Sequence, residues 1–152
     1  MKAKQAEISP VAAAAEAAGT SAPELAQLLG TSEPAAWDVL VYSDELSICL
    51  SLRQLLRLAA RLRVSALSLL PDAPSTREHH SLAELASEVR AYCTTNHLST
   101  EQFGEAAGWD VQQFLVAPDS ALDNWCLDAL TDICHTLGLH WPNYFPNATQ
   151  NA

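Results

Sequence analysis

The thiols and imidazoles of this chain come closest together at Cys93 with His97 and at Cys134 with His135 and His140. A metal site built from them would need ligand spacings of the zinc kind. No Cys-x-x-Cys pair joins Cys49, Cys93, Cys126 and Cys134, and Cys126 and Cys134 fall where a helical pattern calls for packing. They read as free, small hydrophobes, and the imidazoles as surface groups. His79 and His80 are adjacent, so they point to opposite sides of any regular helix. No Ser, His and Asp grouping and no glycine-rich phosphate loop stands out. The expectation is a protein that is not an enzyme and holds neither cofactor nor metal.

The remaining chemistry is that of recognition. Arg53, Arg57 and Arg61 are spaced four apart, which lines them up on one helix face, with Arg63 beside them. The chain carries a formal net charge of −10, unevenly distributed. Residues 1–74 hold six basic and eight acidic side chains, residues 75–152 hold two and ten, and from Ala91 onward there is no lysine or arginine. The arginine stripe is therefore either a solvated face or one that meets acid. Its candidate partners are Asp119, Asp123, Asp128 and Asp132 in this chain or a second subunit, or an unrelated acidic protein, with phosphate the third choice. Trp37, Trp109, Trp125 and Trp141 could anchor a core or an interface equally well.

These residues must be positioned by helices. Of the 152 residues 49% are apolar, ample for a packed core. Ser9 and Pro10 suit the cap and first turn of an alanine-rich helix to Ala18. Leu25, Leu28 and Leu29 form an apolar stripe that Gly30 can end through a positive φ. Ser32 then caps a helix with Glu33 in its first turn, Pro34 still early enough to be tolerated, and Ala36, Val39 and Leu40 inward. A helix from Leu52 to Val64 buries Leu52, Leu55, Leu56, Ala59 and Leu62, and a short element spans Ser65–Leu70. Two prolines in Pro71-Asp72-Ala73-Pro74 mark a boundary. Ser81 with Glu84 makes a capping box for a helix to Thr95, and Asp110 with Gln113 offers another. Residues 147–152 are expected to form a tail.

A weaker copy of the first half returns in the second. LSTEQFGEAAGWD, from Leu98, follows GTSAPELAQLLGTS, and LTDICHTLGLHWPNYF, from Leu130, follows LLRLAARLRVSALSLL. Gly108 lies 78 residues after Gly30 and Leu137 lies 75 after Leu62, so the copy is three residues shorter in its middle. The segments LAQLLGTS and LLRLAARLRVSALSLL match the patterns L-A-x-x-L-G-x-S and L-L-x-L-A-x-x-L-x-V-S-x-x-x-L-L, and on them the chain resembles the lambda-repressor-like (XRE-type) helix-turn-helix family. The resemblance implies an all-α fold of two degenerate tandem bundles, about five helices each. Its divisions are a first domain over residues 1–70, a linker over 71–79, a second domain over 80–146 and the tail. Trp141 would then replace a family core position.

The family implies DNA binding through the helix after the turn, and the charges here oppose it. Such domains grip phosphate with Lys and Arg, and the second half has almost none to offer. The reading helices would present Glu33, Pro34, Trp37 and Asp38 in one copy and Asp110, Val111, Gln112, Gln113 and Phe114 in the other. Gln112 and Gln113 are the DNA-reading candidates, since glutamine can read adenine; the alternative is simple helix-terminus polarity. Trp37 and Trp109, placed where DNA would lie, are the protein-contact candidates, together with Arg53, Arg57 and Arg61. The favoured expectation is a bacterial-type regulatory or adaptor protein, cytoplasmic and without membrane contact, that uses this fold for protein interaction or self-association as a homodimer. The runner-up is a DNA-binding transcriptional regulator of the same type acting as a dimer.

Overall fold

Short helices ended by local hydrogen bonds build the whole of the described chain, which in this computed structural model covers residues 10–41, 50–70 and 78–146. Ser9, Cys49, the 71–74 connector and the 147–152 tail lie outside it. In order the helices are α1 (Pro10–Ala18), α2 (Ala22–Leu29), α3 (Glu33–Val41), α4 (Leu52–Leu62), α5 (Leu82–Thr95), α6 (Thr100–Ala107), α7 (Gln112–Val116), α8 (Ala121–Asn124) and α9 (Leu127–Leu137). Single 3₁₀ turns follow α4 (Ala66–Leu69), α7 (Pro118–Ser120) and α9 (Trp141–Tyr144). No strand occurs among the described residues, which are all-α. No described helix is long and apolar enough to cross a membrane.

The helix starts follow from the sequence. Ser21, Ser51, Ser81 and Ser99 each accept from the backbone N–H three residues on, and Glu24, Gln54, Glu84 and Gln102 reach back to the cap N–H, completing four capping boxes. Ser32 caps α3 more simply, accepting from Ala35 N–H at 3.3 Å. Gly30 and Gly108 end α2 and α6 with φ of 67° and 86°, the left-handed region that a side chain disfavours. Element ends recur at fixed distances: Ser21 and Ser99 lie 78 apart, like Gly30 and Gly108, whereas the N-caps Ser51 and Cys126 lie 75 apart.

The expected helix from Leu52 to Val64 stops at Leu62, because Arg63 adopts φ 60° and its N–H turns back to Ala59 and Ala60. At the matching end of α9 a glycine, Gly138, holds the same conformation at φ 74°. Leu58 joins the inward face expected for α4, fully buried with Leu52, Leu55 and Ala59. The core is one continuous cluster. It runs from Val11 and Leu25 through the α4 leucines to Phe103, Phe114, Ile133 and Phe145.

The two halves meet where α4 begins. Leu52 N–H donates to Trp125 O at 2.9 Å, and Ser51 and Cys126 form an isolated antiparallel bridge. Alongside it the Arg53 guanidinium grips Asp123 at 2.6 and 3.3 Å, a two-point contact that holds the carboxyl below its ordinary range. The Trp125 ring is buried against Phe114, with ring centres 4.4 Å apart. Trp141, expected in the core, is half-buried and sits edge-on to Phe145.

A second fastening ties the start of α5 to the C-terminal turn. His80 N–H donates to Asn143 O at 2.7 Å, Glu78 N–H donates to Asn143 Oδ1 at 3.1 Å, and the His80 ring stacks on Tyr144 at 5.1 Å. Its two ring nitrogens face Glu78 (3.2 Å) and Glu84 (3.5 Å), so only the imidazolium can donate to both. The hydrogen bond to Glu78, with Glu84 adding to it, raises the His80 pKa.

Two outcomes follow from these ends. Arg63→Gly relieves a left-handed non-glycine residue and should raise stability by about 0.5–1 kcal/mol, while Gly138→Ala should lower it by about 1 kcal/mol, both read from urea unfolding. Because the folded-state pKa of His80 lies above its unfolded value near 6.5, its contribution is complete below that value and is lost as pH rises through the folded pKa. The urea-midpoint difference between the natural protein and His80→Gln should therefore shrink on going from acid to mildly alkaline buffer.

Candidate interaction surfaces

Helix α3 turns Ala36, Val39 and Leu40 inward against α1 and α2, which leaves Glu33, Pro34, Trp37 and Asp38 exposed. Trp37 is 56% exposed and Val41, one turn on, 50%. The surface is acidic at its start and apolar further on. It has nothing to offer a phosphate.

The corresponding helix of the second half is shorter and differently faced. Asp110 Oδ1 accepts from Gln112 N–H at 2.9 Å, so it closes a local turn and makes no capping box with Gln113. The physical reason is burial: Val111 and Phe114 are drawn into the core, and the helix starts only at Gln112. Neither Val111 nor Phe114 is presented outward as expected. Gln112 and Gln113 are exposed, and the Gln113 side-chain oxygen accepts from Asn124 at 3.2 Å.

Between α6 and α7 lies an open groove of about 440 Å³ lined by Thr100, Glu101, Gly104, Glu105, Trp109 and Asp110, among others. Trp109 is half-buried, and its indole N–H donates to Asp132 on α9 at 3.0 Å, which sets the plane of the ring. Gly104 forms the floor. A Cβ there would stand 2.9 Å from the Trp109 carbonyl oxygen, so α6 can approach the turn this closely only without a side chain.

The arginine stripe is largely engaged within the chain. Arg53 holds Asp123, Arg61 reaches Glu24 on α2 at 3.1 Å, and exposed Arg57 adds its charge to the field lowering the Asp123 pKa. Of the four expected carboxylate partners Asp123 is the one gripped, with Asp119 adding a weaker pull on Arg53. Asp132 serves Trp109 instead. Arg90, which sequence reasoning passed over, donates to the Leu115 carbonyl near the end of α7. Its function as a helix-end cap leaves no trace in local sequence, since 25 residues separate the two.

The thiols of Cys93 and Cys134 are buried. Burial pushes the Cys134 thiol up to about 12, far from any reactive thiolate, and raises that of Cys93 as well. Among the described residues no three His, Cys, Asp or Glu side chains are grouped to hold a metal ion. Searches of protein-family models, of curated proteins and of solved structures returned no match to this chain.

Gly104→Ala would drive a methyl group into backbone, which cannot move aside as a flexible side chain would. A loss of about 1–3 kcal/mol is expected in chemical denaturation, with a change in Trp109 fluorescence as the ring is displaced.

Proposed function

We propose that this chain is a non-enzymatic regulatory or adaptor protein built on two degenerate lambda-repressor-like helix-turn-helix bundles, which bind protein and not DNA. The observation that carries the reading is the sign of charge on the two surfaces that DNA would have to touch. Glu33, Asp38 and Trp37 occupy one; Glu101, Glu105, Asp110 and Trp109 occupy the other. Protein grips a polyanion by placing cations against phosphates, and carboxylates there oppose approach. Three of the arginines are engaged within the chain, Arg53 on Asp123, Arg61 on Glu24 and Arg90 on a carbonyl. The two-copy reading draws support from matching caps at 78- and 75-residue offsets. A net charge of −10 favours a basic protein partner over a second copy of the same chain.

The second reading, a DNA-binding dimer, draws on the exposure of Gln112 and Gln113 at the start of α7. Base reading requires a backbone grip to hold the duplex in register, and the arginine beside them, Arg90, is already engaged on the Leu115 carbonyl of α7. The deciding measurement is titration with mixed-sequence duplex DNA in low salt, where backbone-driven binding is strongest, with light scattering on the same samples. No duplex should be retained at protein concentrations up to about 100 μM. Micromolar retention that weakens steeply with salt, from a dimer, would establish the transcriptional regulator instead.

A further inference from the structure

We propose that the α6–α7 groove, with the hollow next to it on α9, is a docking site for an arginine- or lysine-bearing segment of another protein. This rests on the protein-binding reading above and names the kind of partner. The second hollow, about 420 Å³, is lined by Thr131, Asp132, His135, Leu139 and Trp141. Asp132 lines it and Trp109 lines the first groove, and these two side chains are hydrogen-bonded to each other. The two hollows therefore adjoin across that bond, each with a half-buried tryptophan as a wall.

Carboxylates alone would be ordinary solvated surface. Here they stand beside an aromatic wall, the Trp109 ring, whose indole N–H is tethered to Asp132. Gly108, on the groove lining, has nothing within 4 Å of where a Cβ would stand, which leaves room beside the ring for a flat guanidinium or an alkyl stem. A cation over the face of tryptophan is attracted by the ring quadrupole, and arginine stacks there most readily. The carboxylates of Glu101 and Glu105 have no hydrogen bond or ion pair among the described residues. No lysine or arginine follows Arg90 in sequence, and Arg90 itself is turned onto Leu115. Among the described residues no lysine or arginine pairs with either carboxylate, and in this proposal the counter-charge is another protein's.

A second copy is the poorer occupant. Two chains of −10 repel each other at long range, and a copy could offer its exposed Arg57 and Arg63 but has Arg53 and Arg61 already paired. A basic segment is instead steered toward the acidic half of the molecule.

The test is fluorescence anisotropy of a fluorescein-labelled peptide alternating arginine with glycine, against its glutamate counterpart, titrated with the full chain. The arginine peptide should bind and the glutamate peptide should not. Trp109→Leu, which leaves the charge unchanged, and the pair Glu101→Gln with Glu105→Gln should each weaken binding roughly tenfold. The pair Glu16→Gln with Glu88→Gln, which removes the same charge from α1 and α5, should change it less than about twofold. Equal effects of the two glutamine pairs would mean diffuse attraction and overturn the site; the pairs decide this even if Trp109→Leu fails to fold. Sedimentation that shows self-association abolished by the Glu101 and Glu105 changes would assign the groove to a second copy and overturn the proposal. No binding of either peptide by a protein that also ignores duplex DNA would sink the site and leave the adaptor reading standing, whereas duplex retention would sink both.

Discussion

The arginine face of this protein is set by the seam where α4 begins. The first turn of a helix leaves backbone N–H groups without partners inside the helix, and at α4 one of them, on Leu52, is satisfied by the Trp125 carbonyl of the other half. That bond puts Ser51 opposite Cys126 and brings α8 against α4. Arg53, one residue on, then lies against Asp123 and takes it in a two-point grip. A stripe of arginines that could have faced outward as a unit is thereby broken at its first member. Arg61 at the other end is drawn to Glu24, the same carboxylate that completes the cap of α2.

The seam thus ties Arg53 to Asp123, while the faces of α3 and of the α6–α7 turn carry carboxylates. On α3 and around the α6–α7 turn, carboxylates and tryptophans share the surface, with the arginines on other elements. Such a combination repels polyanions and suits a partner that brings its own positive charge. The groove at the second turn differs from a merely acidic surface because its tryptophan is hydrogen-bonded to Asp132 and α6 packs on the turn at Gly104 too closely for a side chain.

The chain's second fastening has a different physical character. At the C-terminal turn a backbone bond from His80 to Asn143, a ring stack on Tyr144 and two flanking carboxylates converge on one imidazole. The two carboxylates are exposed, so their pull is softened by solvent, and it depends on a proton that comes and goes near neutral pH. The seam has no titrating group of that kind at its backbone bond. The two joints respond differently to the medium.

Local chemistry was legible in the residues themselves. Serine followed by glutamate or glutamine three positions on, glycine after an apolar stripe, and leucines at helical spacing each act over one turn of chain, so the helix starts and most of the buried faces could be written down from the sequence. The −10 charge and the loss of all cations after Arg90 were equally plain. What the sequence left open were encounters between distant residues: Arg53 with Asp123, Trp109 with Asp132, and Arg90 with Leu115, separated by 70, 23 and 25 positions. Even a local expectation failed where tertiary packing outweighed it. Asp110 and Gln113 have the spacing of a capping box, but burying Val111 and Phe114 gains more than one exposed hydrogen bond, so the chain turns there instead. Periodicity and sign of charge belong to the sequence because they need no knowledge of neighbours; which charge meets which, and which ring is left facing outward, only the packed chain decides.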